Sequence, residues 1–183
     1  MIEAVLAAFA DSEPPQRILD LGTGTGCLLL AALSEFPTTF GVGIDRSPAA
    51  AALAAHNAAS LNMADRTSIL CGNWASALAG RFDLILCNPP YIPTTDLPHL
   101  MPEVARFEPR SALDGGSDGF SAYRELLPNL LNLMGPDSVA VLELGAGQAE
   151  SVGEMAQAAG FAAGVRHDLS GIARALIIKL APQ

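Results

Sequence analysis

Arg17-Ile18-Leu19-Asp20-Leu21-Gly22-Thr23-Gly24-Thr25-Gly26 decides how the rest of this chain is read. A short apolar run, 17–21, enters a turn with glycine at every second place, and residues 27–35 follow with helical spacing. Glycine has no Cβ and takes positive φ, so such a turn lets a ligand approach the backbone at a helix N-terminus. A plain tight turn has the same composition, so the motif needs its context. The dinucleotide fingerprint places glycines at relative positions one, three and six. Here they fall at one, three and five, and Cys27 takes the sixth place, which departs from the NAD pattern.

Working outward, short apolar runs bounded by turn residues alternate with helical segments, the pattern of an α/β protein with a parallel sheet covered on both faces. Strands are expected at 17–21, 39–44, 67–71, 82–87, 138–144, 161–166 and 175–180, and helices at 27–35, 48–62, 119–134 and 146–159, with a weaker one at 74–78. Ser47 and Pro48 read as N-cap and first residue of the second helix. Only a short stretch, 167–174, links the last two strands, too little for a helical crossover, so they should pair antiparallel. Residues 92–117 hold Pro93, Pro98, Pro102 and Pro109 without a clear period, and they read as a long functional loop.

The 183 residues suffice for one ordinary domain. No apolar stretch reaches the roughly 20 residues that span a bilayer, and the start lacks a basic region and cleavage pattern, so a cytoplasmic protein without a membrane partner is expected. Cys27, Cys71 and Cys87 form no Cys-x-x-Cys pair, which suggests neither disulfides nor a zinc knuckle. A net charge of −9 argues against a broad nucleic-acid contact, because that binding rests on cations that neutralise phosphates. His56, His99 and His167 stand alone and read as ordinary surface or satisfied histidines, and Asp114 and Asp118 as turn formers rather than an acid–base pair.

Two further edges of the sheet carry chemistry. Asp45 ends the second strand beside the glycine turn and can accept two ribose hydroxyls, or can sit as a carboxylate at the following helix N-terminus. Gly72-Asn73-Trp74 follows the third strand: the amide and indole suit an adenine, while the indole equally suits core packing. The fourth strand ends in Asn88-Pro89-Pro90-Tyr91. Two prolines stop ladder hydrogen bonding and stiffen the backbone, so the Asn88 side-chain carbonyl and the Pro89 carbonyl can face one point. Two converging acceptors match the two hydrogens of an NH2 group, and Tyr91 offers it a flat face.

On these residues the chain resembles the class I S-adenosylmethionine methyltransferases, and within them the HemK/PrmC family, which methylates the GGQ glutamine of peptide-chain release factors. The first motifs give the superfamily. Phe107-Glu108-Pro109-Arg110-Ser111-Ala112-Leu113-Asp114-Gly115-Gly116-Ser117-Asp118-Gly119 narrows the match by resembling the family's E-P-x-x-A-L-x-G-G-x-D-G segment, and Glu143-Leu144-Gly145 with Gln148, and Asp168-Leu169-Ser170-Gly171 before the last strand, resemble the family's final sheet region. The resemblance implies a Rossmann-like seven-stranded sheet in the order 3-2-1-4-5-7-6 with the seventh strand antiparallel. It implies S-adenosylmethionine held by Gly22, Thr23, Gly24, Thr25, Gly26, Asp45, Asn73, Trp74 and Asn88, and Asn88, Pro89, Pro90 and Tyr91 as the catalytic loop. The partner is then a release factor, docked partly on 92–117. The family's helical N-terminal domain and P-R-P-E-T-E-like segment are not found ahead of this region, so 1–183 reads as the catalytic domain alone, with slow transfer expected without that part. A nucleic-acid amino-methyltransferase would use the same Asn88 loop on a flipped base, which the acidic charge disfavours. An inactive cofactor-binding module is the other alternative.

Overall fold

A computed structural model of the chain describes residues 1–74 and 78–182. Helix α1 (Ile2–Ala8) precedes β1 (Arg17–Leu21), α2 (Cys27–Glu35), β2 (Phe40–Asp45), α3 (Pro48–Ser60), β3 (Thr67–Cys71) and β4 (Phe82–Cys87). Then come α4 (Pro102–Phe107), α5 (Arg110–Leu113), α6 (Ser121–Leu130), β5 (Met134–Glu143), α7 (Ala149–Ala158), β6 (Phe161–His167) and β7 (Ala173–Leu180). The strands form one sheet in the order β3-β2-β1-β4-β5-β7-β6, with β7 antiparallel to both neighbours, as expected.

Alternation along the central strands sorts the core into two layers, because successive side chains of a strand point to opposite faces. Ile85 and Cys87 of β4 join Leu19 and Leu21 under α6 and α7, against Tyr123, Leu126, Leu130 and Val152. Leu84 and Leu86 point the other way, with Ile18, Leu29, Leu33 and Val5. Both faces being buried, these strands read as continuous apolar runs. Leu21 lies level with Ile44 and with Cys87, and Cys87 with Leu142, so the carboxyl ends of four strands open on one edge. Strand order reverses between β1 and β4, and at such a switch point open α/β sheets leave a crevice.

Three expectations need correction. The expected helix over 119–134 ends at Leu130, and β5 starts at Met134 rather than at 138. Gly135-Pro136-Asp137 is an irregularity inside the strand rather than a turn before it: Ser138 Oγ accepts from the Gly135 amide at 2.7 Å and donates to the Phe82 carbonyl at 2.7 Å, opposite a register shift in β4. Residues 92–117 are not a structureless loop. Pro102 sits in the first turn of α4 and Pro109 is the N-cap residue of α5, positions where a missing amide costs nothing, so prolines that suggested a loop start helices instead. Helix α1 was not expected; its Ile2, Val5 and Phe9 recur at helical spacing and join the layer under α2. The expected weak helix at 74–78 lies, for 75–77, outside the described residues.

Candidate functional site

The glycine turn hooks over β2, where the Gly22 and Thr23 amides both donate to the Ile44 carbonyl at 2.9 Å. Gly22 has φ +72°, and a Cβ there would stand 3.4 Å from the Trp74 ring. Gly24, φ +56°, has nothing within 4 Å of that position, so its backbone is open to a ligand. Thr23 faces inward and donates to Asp20 at 2.7 Å. Gly26 is buried at the N-cap of α2, and the exposed Thr25 turns its carbonyl to the Asn57 amide at 2.9 Å. Of the five turn residues, Gly22 and Gly24 line the cavity and the other three support it.

Asp45 sits ahead of the α3 N-terminus and also faces the cavity. One carboxylate oxygen accepts from the Gly24 amide at 2.9 Å and the other from Ser47 at 2.8 Å, while the side chain lines the cavity. Ser47 caps α3 by accepting from Ala50 at 3.3 Å, with Pro48 following as expected. Each Asp45 oxygen keeps acceptor capacity beyond its one backbone partner. Trp74, at φ +45°, likewise does two things: it lines the cavity beside Gly22 and packs against the core. Asn73 also lines the cavity, and its Nδ2 donates to Glu125 at 3.3 Å.

Across the crevice stand Asn88 and Pro90, with Pro89 buried behind them. Asn88 is exposed and makes no side-chain hydrogen bond among the described residues. Tyr91 is not brought to the cavity wall. It is half-buried, its hydroxyl donates to Glu143 at 3.3 Å, and burial, with Glu143 adding to it, pushes that hydroxyl's pKa up. Pro109, Ser111 and Ala112 of the α5 region close the cavity, together with Arg46 and Ser47. These were missed as wall residues. The proline-rich spacing hid α5, and nothing in the local sequence says which turn folds back over β2. The cavity holds about 200 Å3 and opens to solvent on one side.

Behind the wall, Asp114 does the turn work expected of it. Its carboxylate accepts from Thr94 Oγ1 at 2.6 Å and the Gly116 amide at 3.1 Å, and the Thr94 contact leads in holding its pKa down. Asp118 pairs with Arg124, which holds its pKa near 2. Asp20, the acidic residue of the motif, is buried under the turn. Burial raises its pKa to about 6 against the opposing Thr23 hydrogen bond. His56, His99 and His167 are all exposed.

A seven-stranded sheet in this order, with a glycine turn, an edge carboxylate and an Asn-Pro-Pro-Tyr loop meeting at the switch point, defines the class I methyltransferase architecture. The chain belongs to the Methyltransferase small domain family, which matches residues 3–101. The HemK/PrmC resemblance is borne out by curated relatives. A release factor glutamine methyltransferase of Rhodospirillum rubrum is 47% identical over 89% of this chain and 50% of its own length. One from Bradyrhizobium diazoefficiens is 40% identical over 100% of this chain and 63% of its own. The chain thus spans about half to two thirds of these relatives. Among solved structures, a methyltransferase from Pyrococcus furiosus superposes with a TM-score of 0.72 at 15% identity, covering 98% of this chain and 81% of that one, a likeness of fold.

Proposed function

We propose that this chain transfers a methyl group from S-adenosylmethionine to the side-chain amide nitrogen of the GGQ glutamine of a peptide-chain release factor. One observation carries the reading: Asp45 and the glycine turn share a single cavity with Asn88 and Pro90. The activity in the names of the relatives points the same way.

The residues present fit the cofactor. Gly24 leaves open space where a side chain would stand, Asp45 offers spare acceptor capacity for ribose hydroxyls, and the Trp74 ring and Asn73 amide lie beside them for an adenine. S-adenosylmethionine supplies a sulfonium methyl, whose C–S bonding electrons return to sulfur on transfer. An amide nitrogen is a poor nucleophile because its lone pair is delocalised, so this chain's task is to hold it in line and stabilise the positive charge that develops on its N–H groups as the lone pair is used. Asn88 Oδ1 and the Pro89 carbonyl accept those two N–H groups. The nitrogen lone pair makes the new N–C bond, and one of the two protons leaves to water. A net charge of −9 favours a small protein loop over a polyanionic acceptor.

Methyl-labelled cofactor offered with release factor, its GGQ→GGA variant, and DNA or rRNA tests the reading. Label is expected on the wild-type release factor alone. Label on nucleic acid, or undiminished label on the GGA protein, overturns it.

A further inference from the structure

Behind the Asn88 loop lies a buried glutamine that transfer chemistry itself does not use. We infer that Gln148 is a positioning residue: it grips the Tyr91 backbone, and through it sets where Asn88 and the Pro89 carbonyl face. The inference rests on the function proposed above and deepens it. Gln148 is only 8% exposed, and its amide is fully engaged. Oε1 accepts from the Gly145 amide at 3.0 Å, while Nε2 donates to the Tyr91 carbonyl at 3.0 Å and the Gly119 carbonyl at 3.3 Å; the Tyr123 hydroxyl lies 3.4 Å from Oε1 but gives its hydrogen to the Glu143 carbonyl at 2.7 Å. Both N–H donors of the glutamine and its carbonyl are thereby used.

The surrounding backbone is shaped to admit this grip. A Cβ on Gly115 would come within 2.8 Å of the Tyr91 backbone. One on Gly119 would stand 2.6 Å from the Tyr91 carbonyl oxygen and 2.8 Å from Gln148 Nε2, and one on Gly145 would stand 2.6 Å from Gln148 Oε1 and 3.0 Å from the Tyr91 ring. Glycines from two separate stretches of chain close on the same two residues, and all three positions are too tight for any larger residue. The held carbonyl belongs to the residue after Pro89-Pro90, whose φ angles are fixed by their rings. Few soft torsions remain between Tyr91 and Asn88, so fixing one end directs the other. The two strongest resemblance segments after the fourth strand, ending in Gly119 and in Gln148, thus meet at the Asn88 loop.

Gln148→Met tests this in the full chain, since it keeps length and bulk and removes both donors. Misplacing reacting groups by about 1 Å costs on the order of 100-fold, so kcat should fall on the order of 10- to 100-fold. The KM for release factor and the Kd for cofactor should stay within a factor of about three, because neither contact is touched. Backbone exchange gives a readout free of turnover. The Ile92, Thr94 and Gly115 amides, bonded respectively to the Leu113, Gly116 and Ile92 carbonyls around the loop, should exchange faster, while those of β1 do not. Should the methionine variant fail to fold, Gln148→Glu, which keeps the side chain's size and replaces the Nε2 donor group with an oxygen, decides in its place with the same split. Undiminished kcat in the folded variant, cofactor affinity falling in step with kcat, or exchange rising uniformly overturns the inference. A wild-type chain that transfers no methyl sinks the proposed function, and the exchange pattern then still decides whether Gln148 holds the loop.

Discussion

The glycine turn and the Asn88 loop leave neighbouring strands at the same level, Leu21 beside Cys87, yet they are held by different kinds of contact. The turn is held from nearby: Ile44 and Asp45 of the adjacent strand take its amides, and Asp20, at the end of its own strand, takes the Thr23 hydroxyl. The loop is held from afar, by Gln148, 57 residues from Tyr91, and by a backbone bridge between Ile92 and Asp114. One wall depends on one backbone carbonyl and on two acidic side chains that can be exchanged singly. The other depends on backbone carbonyls wedged between glycines. Substitutions on the first wall should therefore act on cofactor affinity, and those on the second on turnover.

The sharpest way to break that contrast is Asn88→Ala. Loss of one preorganised polar group at a reacting centre costs about 10²–10³-fold in kcat. The variant should melt like wild type and bind cofactor nearly as well, since Asn88 makes no side-chain hydrogen bond among the described residues; equal turnover would remove it from the mechanism. Next in size is Asp45→Ala. It removes a charge-assisted contact of about 1.5–3 kcal/mol, or ~10- to 150-fold in cofactor Kd by calorimetry. Its turnover at saturating cofactor should change far less. A kcat loss matching the affinity loss would show that the two walls are not separable.

The same contrast explains what could be read in advance. The turn, Asp45, the Ser47 cap and the Asn88 loop each lie within a few residues of a strand end, and strand ends follow from apolar runs. The sheet order was reached through resemblance, because which strand neighbours which is a matter of long-range contacts. Tyr91 was expected as a flat face for the acceptor; instead its ring packs by Gly145 and its hydroxyl meets Glu143, a partner 52 residues on. Likewise α5 was hidden, since Pro109 as an N-cap looks locally like Pro109 in a loop, and the two differ only once Asp114 is tied to Thr94.

Gly119→Ala presses on the second wall from behind. At φ +81° an added methyl is strained, and it would also meet the Tyr91 carbonyl, so a loss of about 1–3 kcal/mol and a several-fold lower kcat are expected. Gly147→Ala is the matched control, with φ +79° and nothing within 4 Å. It carries the strain without the clash, and should lower the melting temperature while leaving kcat alone. If both variants lose turnover equally, backbone strain rather than the grip on Tyr91 controls the loop.

The smallest effect on transfer should come from Asp20→Asn, because Asp20 supports the turn without lining the cavity. Its effect is on stability against pH. Burial raises the Asp20 pKa from the usual 3.8 to about 6, with Asp45 adding to the rise and the Thr23 hydroxyl and Leu29 amide opposing it. Between those values the folded chain keeps a proton that the unfolded chain gives up, so stability falls as pH climbs from about 4 to 6 and is flat above. A shift of about two units corresponds to about 3 kcal/mol, to order of magnitude. Asp114, Asp118 and Asp168 have lowered values, so the stability they add is lost only as pH falls below 3.8, outside this window. Asparagine cannot ionise. Urea unfolding of both proteins from pH 4 to 7 should show wild type losing ground to the variant as pH rises, with the gap constant above about pH 6. Parallel curves would mean that the Thr23 and Leu29 contacts offset burial completely. The glycine turn would then be held without electrostatic cost, as the Asn88 loop is, and the contrast between the two walls would shrink to which backbone groups they use.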